Sequence, residues 1–199
     1  MAMNRGEWSE FYTILSLLSE PNMTIADETL NMITDNLYTV NKLSVEEQDS
    51  IIDYVLDNNL DVEVYFNNEL NENINALEIS NGKNILFDNI KSAVAGDGAF
   101  EIESIQPLLN RMTPNGLIKS RSSSKEDLNA VVLDNRLGKD VTLKYSIKSC
   151  LGSPATLLNA SSLTNFLYEV KGLTAKDINE VNSIDTRTKL VDRIKKSKN

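Results

Sequence analysis

The stretch from Asp127 to Lys148 constrains this chain most: two runs that favour strands flank a polar turn signal, which leaves little but a β-hairpin. Asp127-Leu-Asn-Ala-Val-Val-Leu-Asp134 is rich in β-formers, and Val141-Thr-Leu-Lys-Tyr-Ser-Ile-Lys148 alternates with period two. The connector Asn135-Arg-Leu-Gly-Lys-Asp140 is polar and carries Gly138, so a turn is expected there. An even-numbered turn centred between Leu137 and Gly138 sets Leu128 against Ile147, Ala130 against Tyr145 and Val132 against Leu143, all on one apolar face. The other face then pairs Asp127 with Lys148 and Asn129 with Ser146, and becomes mixed where Val131 meets Lys144. A one-residue slip would break up the apolar face, so the pattern specifies the register fairly well.

Opposed residues on adjacent strands have Cβ atoms about 5 Å apart, so this register lets Asp127 and Lys148 share one metal-bound phosphate or water. Chemistry at a phosphodiester needs that combination. A carboxylate holds Mg²⁺, which polarises a phosphoryl oxygen and lowers the pKa of a bound water. A nearby lysine stabilises the developing negative charge. A cross-strand salt bridge on a solvated sheet face, worth little to stability, would leave the same trace. The hairpin alone leaves both readings open.

Composition narrows the field. The chain has 199 residues, 41% of them hydrophobic, which suits a single domain over 1–199 with a helical, acidic part at about 1–112 and the hairpin in the rest. No stretch approaches a membrane span, since the apolar run Phe11 to Leu18 is interrupted by Thr13 and Ser16. The N-terminus lacks a basic-plus-apolar leader, so a cytoplasmic location is expected. One cysteine, Cys150, cannot form an internal disulfide. With no histidine in the chain, histidine acid–base catalysis, Ser-His-Asp triads and ordinary zinc sites are excluded.

Net charge is −9, which at first argues against nucleic acid, but its distribution is uneven. Residues 1–100 hold 4 basic and 18 acidic side chains, whereas 111–150 hold 8 and 4 and 151–199 hold 8 and 5. The basic half contains the hairpin, as a one-sided phosphate-binding surface requires. Scatter within an acidic protein is the plainer alternative.

The remaining pattern is coarse. Helices are expected from Glu7 to Ser19, over Ala26 to Leu37, and from a capping box at Ser44-Val-Glu-Glu47 to about Leu56. Short strands are expected over Val62 to Phe66 and Leu77 to Ile79. Further helices are expected over Asn84 to Val94, Glu101 to Met112, from a cap at Thr174, and over Thr186 to Lys196.

Two longer words carry a family resemblance. Asn4-Arg-Gly-Glu-Trp-Ser-Glu-Phe-Tyr12 resembles the opening helix of the HpaII-type restriction endonucleases. Ser146-Ile-Lys-Ser-Cys-Leu-Gly-Ser-Pro-Ala-Thr-Leu-Leu-Asn-Ala-Ser-Ser-Leu-Thr-Asn-Phe-Leu-Tyr-Glu169 is similar to that family's longest signature, and the order of the words matches. The resemblance runs from about residue 4 to about residue 195. It implies the PD-(D/E)XK superfamily, with an α/β fold in which a mixed β-sheet is flanked by helices. It also implies a type II enzyme cutting double-stranded DNA with Mg²⁺, CCGG being the family's usual site. A cognate DNA methyltransferase in the same system and a possible homodimer follow from the same resemblance. Family members are longer than this chain, so a chain lacking its C-terminal portion is expected.

One departure is specific. Where the superfamily has an acid two residues before the lysine, this chain has Ser146, and a hydroxyl is a poor Mg²⁺ ligand. The expected catalytic set is therefore Asp127 as metal ligand, Lys148 as phosphate-facing cation, and Ser146 at the altered position. Glu7, with Glu10 second, would supply the missing carboxylate from the opening helix. Trp8, Phe11, Leu15 and Leu18 form that helix's apolar stripe, with Glu7 at its border. Compensation of the helix dipole is the plainer role for either glutamate. DNA contacts are expected from Arg121, Ser122 and Lys125, from Ser149, and from Thr156, Asn159, Ser161, Thr164 and Asn165. The rival reading is a non-catalytic DNA-binding or protein-interaction module that kept the fold.

Overall fold

Helix α1 (Arg5–Ser19) ends where the sequence expects it and starts two residues before the expected Glu7. The Asn4 side chain accepts the Glu7 amide while the Glu7 carboxylate accepts the Asn4 amide, a reciprocal capping box. Its buried stripe is Trp8, Phe11, Ile14, Leu15 and Leu18. In the computed structural model the described residues are 2–29, 31–47, 50–93, 98–117, 126–149 and 171–197. They fall in two compact units, Met1–Thr156 and Leu157–Asn199.

The first unit is built on a seven-stranded sheet. Its strands are β1 (Asn22–Ala26), β2 (Met32–Glu46), β3 (Ile51–Leu56), β4 (Val62–Phe66), β5 (Glu69–Ile74), β6 (Leu128–Asp134) and β7 (Lys139–Tyr145). The order is β5-β4-β3-β2-β6-β7, with β1 also paired to β2, and the described pairings are antiparallel. Helices α2 (Ala76–Ser92) and α3 (Gln106–Met112) complete the unit. Leu43, Val45, Ile52, Tyr54, Val62, Val64, Leu128, Ala130 and Val132 of the strands share one buried core with the α1 stripe and with Ile79, Leu86 and Ile90 of α2. The expected α/β architecture, a sheet flanked by helices, is thus the one observed.

Several local expectations are corrected. Ala26, Met32 to Leu37, Ser44 to Glu46 and Ile51 to Leu56 lie in strands rather than helices, so the acidic N-terminal part holds five of the seven strands. Strand β2 carries a bulge: Val40 pairs with Val132, and Lys42 with Val131. The bulge at Asn41 resets the alternation, so the buried Val40 and Leu43 stand three apart, a helical spacing. Ser44 caps nothing; its hydroxyl donates to the Asp53 carboxylate on β3 at 2.6 Å. Leu77 to Ile79 opens α2 instead of forming a strand, because the Asn75 side chain accepts the Leu77 amide at 2.9 Å. Helix α3 is shorter than expected, with Pro107 in its first turn, where a missing N–H costs nothing.

Gly82 lets α2 approach α3. A Cβ there would lie 2.4 Å from Leu108 Cδ2 and 3.7 Å from Leu15 Cδ1, and both leucines are buried. Gly82→Val is therefore expected to lower stability by about 2–3 kcal/mol through overpacking, read as a shifted urea midpoint.

In the second unit, Thr174 and Asp177 form a capping box at the start of α4 (Ala175–Asn182). Helix α5 (Lys189–Lys196) starts later than expected, and the hydroxyls of Thr186 and Thr188 ahead of it both donate to the Asp192 carboxylate in its first turn. Lys196 pairs with Glu180 at 2.9 Å, and the Arg193 guanidinium donates to the Ile184 and Asn182 carbonyls. No helix among the described residues is long and apolar enough to cross a membrane.

Candidate active site

The hairpin forms, but its register is two residues from the expected one. Leu128 faces Tyr145, Ala130 faces Leu143 and Val132 faces Val141, closing at Asp134 opposite Lys139. The turn residues decide this. Asp134 accepts the Arg136 amide at 2.9 Å and its guanidinium at 2.9 and 3.1 Å, while Gly138 takes a positive φ of 59°. The adjoining Arg136 guanidinium holds the Asp134 carboxyl below the usual carboxylate range, and the same guanidinium lies over the Tyr38 ring.

At the open end this register removes the direct pairing of Asp127 with Lys148. The Asp127 amide donates to the Tyr145 carbonyl at 2.8 Å, and β7 ends there. The next two residues turn onto the aspartate itself. Ile147 N–H donates to Asp127 Oδ2 at 2.7 Å, and the Ser146 hydroxyl donates to the same oxygen at 3.1 Å. Lys148, one residue further, is exposed. Asp127 and the Ser146-Ile147-Lys148 segment are thus brought together by a side-chain clamp rather than by cross-strand opposition.

Helix α1 reaches the same segment. The Ser9 hydroxyl donates to the Arg5 carbonyl at 2.8 Å and lies 3.0 Å from the Ser149 hydroxyl, within hydrogen-bond distance. Glu10 follows Ser9 and is half-buried. Glu7, the first choice for the missing acid, is engaged at the Asn4 amide at 2.7 Å. Arg121, Ser122, Lys125, Thr156, Asn159, Ser161, Thr164 and Asn165 lie outside the described residues.

Three further polar features lie on or beside the sheet face that Asp127 and Asn129 share. Lys144 pairs with Glu126, whose carboxylate raises the lysine pKa. Asp53 is buried between the Lys42 ammonium at 2.7 Å and the Ser44 hydroxyl. Asn129 pairs across the strands with Ser44 on one side and Lys144 on the other, and its Oδ1 is buried without a hydrogen-bond partner. The sequence signal for all three was a polar residue inside a strand pattern, legible only once the sheet order is known.

A buried acceptor without a donor commonly marks an absent water or ion. Asp127 and Asn129 stand two apart on one strand face and offer oxygen donors, which suit a hard cation such as Mg²⁺. The described residues contain no group of three or more His, Cys, Asp or Glu side chains able to hold a metal. A cation at Asp127 would therefore depend on neutral oxygens, a further carboxylate, or substrate phosphate.

A helix-flanked sheet with an acid at one strand's start and an exposed lysine just beyond its neighbour's end fits an α/β fold of the restriction-endonuclease type. Comparison with known proteins makes this particular: the HpaII restriction endonuclease model matches residues 4–199, and the chain belongs to that family. It is 39% identical over 182 residues to the type II restriction enzyme HpaII of Haemophilus parainfluenzae, a match covering 91% of this chain and 50% of that protein. The chain thus spans about half the length of that relative. No solved structure matches it.

Proposed function

We propose that this chain belongs to a type II restriction endonuclease that hydrolyses phosphodiester bonds of double-stranded DNA at a short specific site with Mg²⁺. The observation that carries the reading is the Asp127 carboxylate held against Ser146 and Ile147 at the mouth of the end hairpin, beside Lys148. The match to a type II restriction enzyme supports it. CCGG is the site by family resemblance. Asp127 would hold the Mg²⁺, with the Asn129 oxygen two residues along the same strand face as a candidate neutral donor. Bound there, Mg²⁺ would supply Lewis acidity toward a phosphoryl oxygen and lower the pKa of water. Lys148 stabilises the charge that develops on the phosphoryl oxygens. The DNA contacts are assigned to Arg121, Ser122, Lys125, Ser149, Thr156, Asn159, Ser161, Thr164 and Asn165. A methyltransferase of the same system would protect the site without touching this chain. A cytoplasmic location and a homodimer belong to the same reading.

Between the two glutamates of α1, the reading favours Glu10, because it follows Ser9, whose hydroxyl meets Ser149 of the candidate segment. Glu10→Gln is expected to raise the Mg²⁺ concentration needed for half-maximal cleavage about tenfold or more. Glu7→Gln is expected to cost about 1 kcal/mol of stability through the weakened cap and to leave that midpoint in place. An unchanged midpoint in the double variant would remove both glutamates from the metal shell.

Digestion of a mapped plasmid tests the function as a whole. Discrete fragments in Mg²⁺ that disappear in chelator support it. The absence of an acid at Ser146 favours one second reading, a non-catalytic DNA-binding module, and retarded plasmid without cleavage in Mg²⁺ or Mn²⁺ is its signature.

A further inference from the structure

Ser146 stands where the superfamily carries its second metal-binding acid, and its structural role is different. Its hydroxyl donates to Asp127 Oδ2 at 3.1 Å, and the next amide, Ile147 N–H, donates to the same oxygen at 2.7 Å. An acid at this position could not do this. Two carboxylates side by side repel until a cation lies between them, so their orientation would depend on the metal. A hydroxyl is a donor, and with the amide it fixes the plane of the Asp127 carboxylate with no metal present.

We propose that Ser146 is a positioning residue: it pre-orients the Asp127 carboxylate through a hydroxyl donor, rather than being a metal ligand that was lost. This rests on the reading of Asp127 as the metal-binding carboxylate. The arrangement gives up the charge of a second acid and gains a first ligand that needs no reordering when the cation arrives. Groups that hydrogen-bond a ligating carboxylate typically contribute about 10–100-fold to metal affinity. Ile147 supplies its share through the backbone, so side-chain replacement at Ser146 removes the hydroxyl donor and leaves the amide.

The test is Mn²⁺ binding to the 199-residue chain by titration calorimetry, with thermal unfolding run alongside. Ser146→Ala is expected to weaken Mn²⁺ binding about tenfold while the melting temperature stays near that of the parent, because Ser146 is exposed. Ser146→Thr keeps the hydroxyl and is expected to restore binding to within about twofold of the parent. Parent-like binding by Ser146→Ala overturns the proposal, as does failure of the threonine variant to bind better than the alanine. Asp127→Asn separates the two levels of the argument. If it loses Mn²⁺ while Ser146→Ala does not, the clamp alone is wrong; if it binds like the parent, the metal-ligand reading falls with it.

Discussion

Asp127→Asn is expected to abolish metal-dependent DNA cleavage while leaving the fold intact. A bound metal is worth several kcal/mol of charge stabilisation in the transition state, and each 1.36 kcal/mol is tenfold in rate, so losing its anionic ligand should slow cleavage by about 10³-fold or more. Asparagine keeps the shape and one acceptor oxygen for Ile147 N–H and the Ser146 hydroxyl. The expected stability cost is therefore about 1 kcal/mol, the worth of bonds that become neutral rather than charge-assisted. Lys148→Met should cost about 10²–10³-fold through loss of charge stabilisation, with no change in unfolding, since the lysine is exposed. Initial cleavage rates in Mg²⁺ with urea titrations on the same samples check both. A variant that cuts at the parent rate but unfolds several kcal/mol sooner would make Asp127 a scaffold residue that holds the end of β7.

Why the hairpin was legible and its register was not has one physical cause. A slip of two residues keeps every side chain on its face, so Leu128, Ala130 and Val132 are buried in either register. Apolar alternation can exclude a one-residue slip and cannot see a two-residue one. The choice falls to the turn, where Asp134 folds its carboxylate back onto the Arg136 amide and guanidinium. That shift removes the direct Asp127–Lys148 pairing and lets Ser146 and Ile147 close on Asp127 instead.

The opening helix was readable because its stripe and cap agree, whereas the strands of the acidic part were hidden by local signals that tertiary pairing overrides. Ser44-Val-Glu-Glu47 has the letters of a capping box, yet Ser44 faces Asp53 on β3 and Asn129 on β6. Strand β5, Glu-Leu-Asn-Glu-Asn-Ile, is poor in β-formers and pairs because β4 presents its edge. Asp53, Lys42 and the orphaned Asn129 oxygen were invisible for the same reason: their meaning depends on neighbours far apart in the chain. Periodicity says nothing of a link between the opening helix and the Ser146 segment, which tertiary packing alone makes. The Ser9–Ser149 hydroxyl contact is the structural form of that link.

Trp8→Ala is expected to be the most damaging single change to the fold. Trp8 is fully buried at the start of α1; its indole N–H donates to the Phe100 carbonyl at 3.1 Å and its ring lies tilted against Phe100 at 6.3 Å. The Phe100 carbonyl also accepts the Met3 amide at 3.0 Å, so the truncation leaves a cavity but no orphaned acceptor. The cost is then mainly transfer and cavity, about 3–5 kcal/mol. Against a typical total of about 5–15 kcal/mol, that is about a fifth or more of the stability of an ordinary domain. Trp8→Phe keeps most of the apolar volume and loses the N–H, so about 1–2 kcal/mol is expected. Urea unfolding of the three proteins gives the comparison, provided the slope is shared. The residue after Trp8 is Ser9, so a helix that loosens at the indole also loses its hold on Ser149 beside the candidate site. Cleavage should therefore fall in Trp8→Ala even at urea-free temperatures where most molecules are folded, and recover in Trp8→Phe. Unfolding at the parent midpoint by Trp8→Ala would mean that α1 is held by the rest of its stripe and that the indole contributes little.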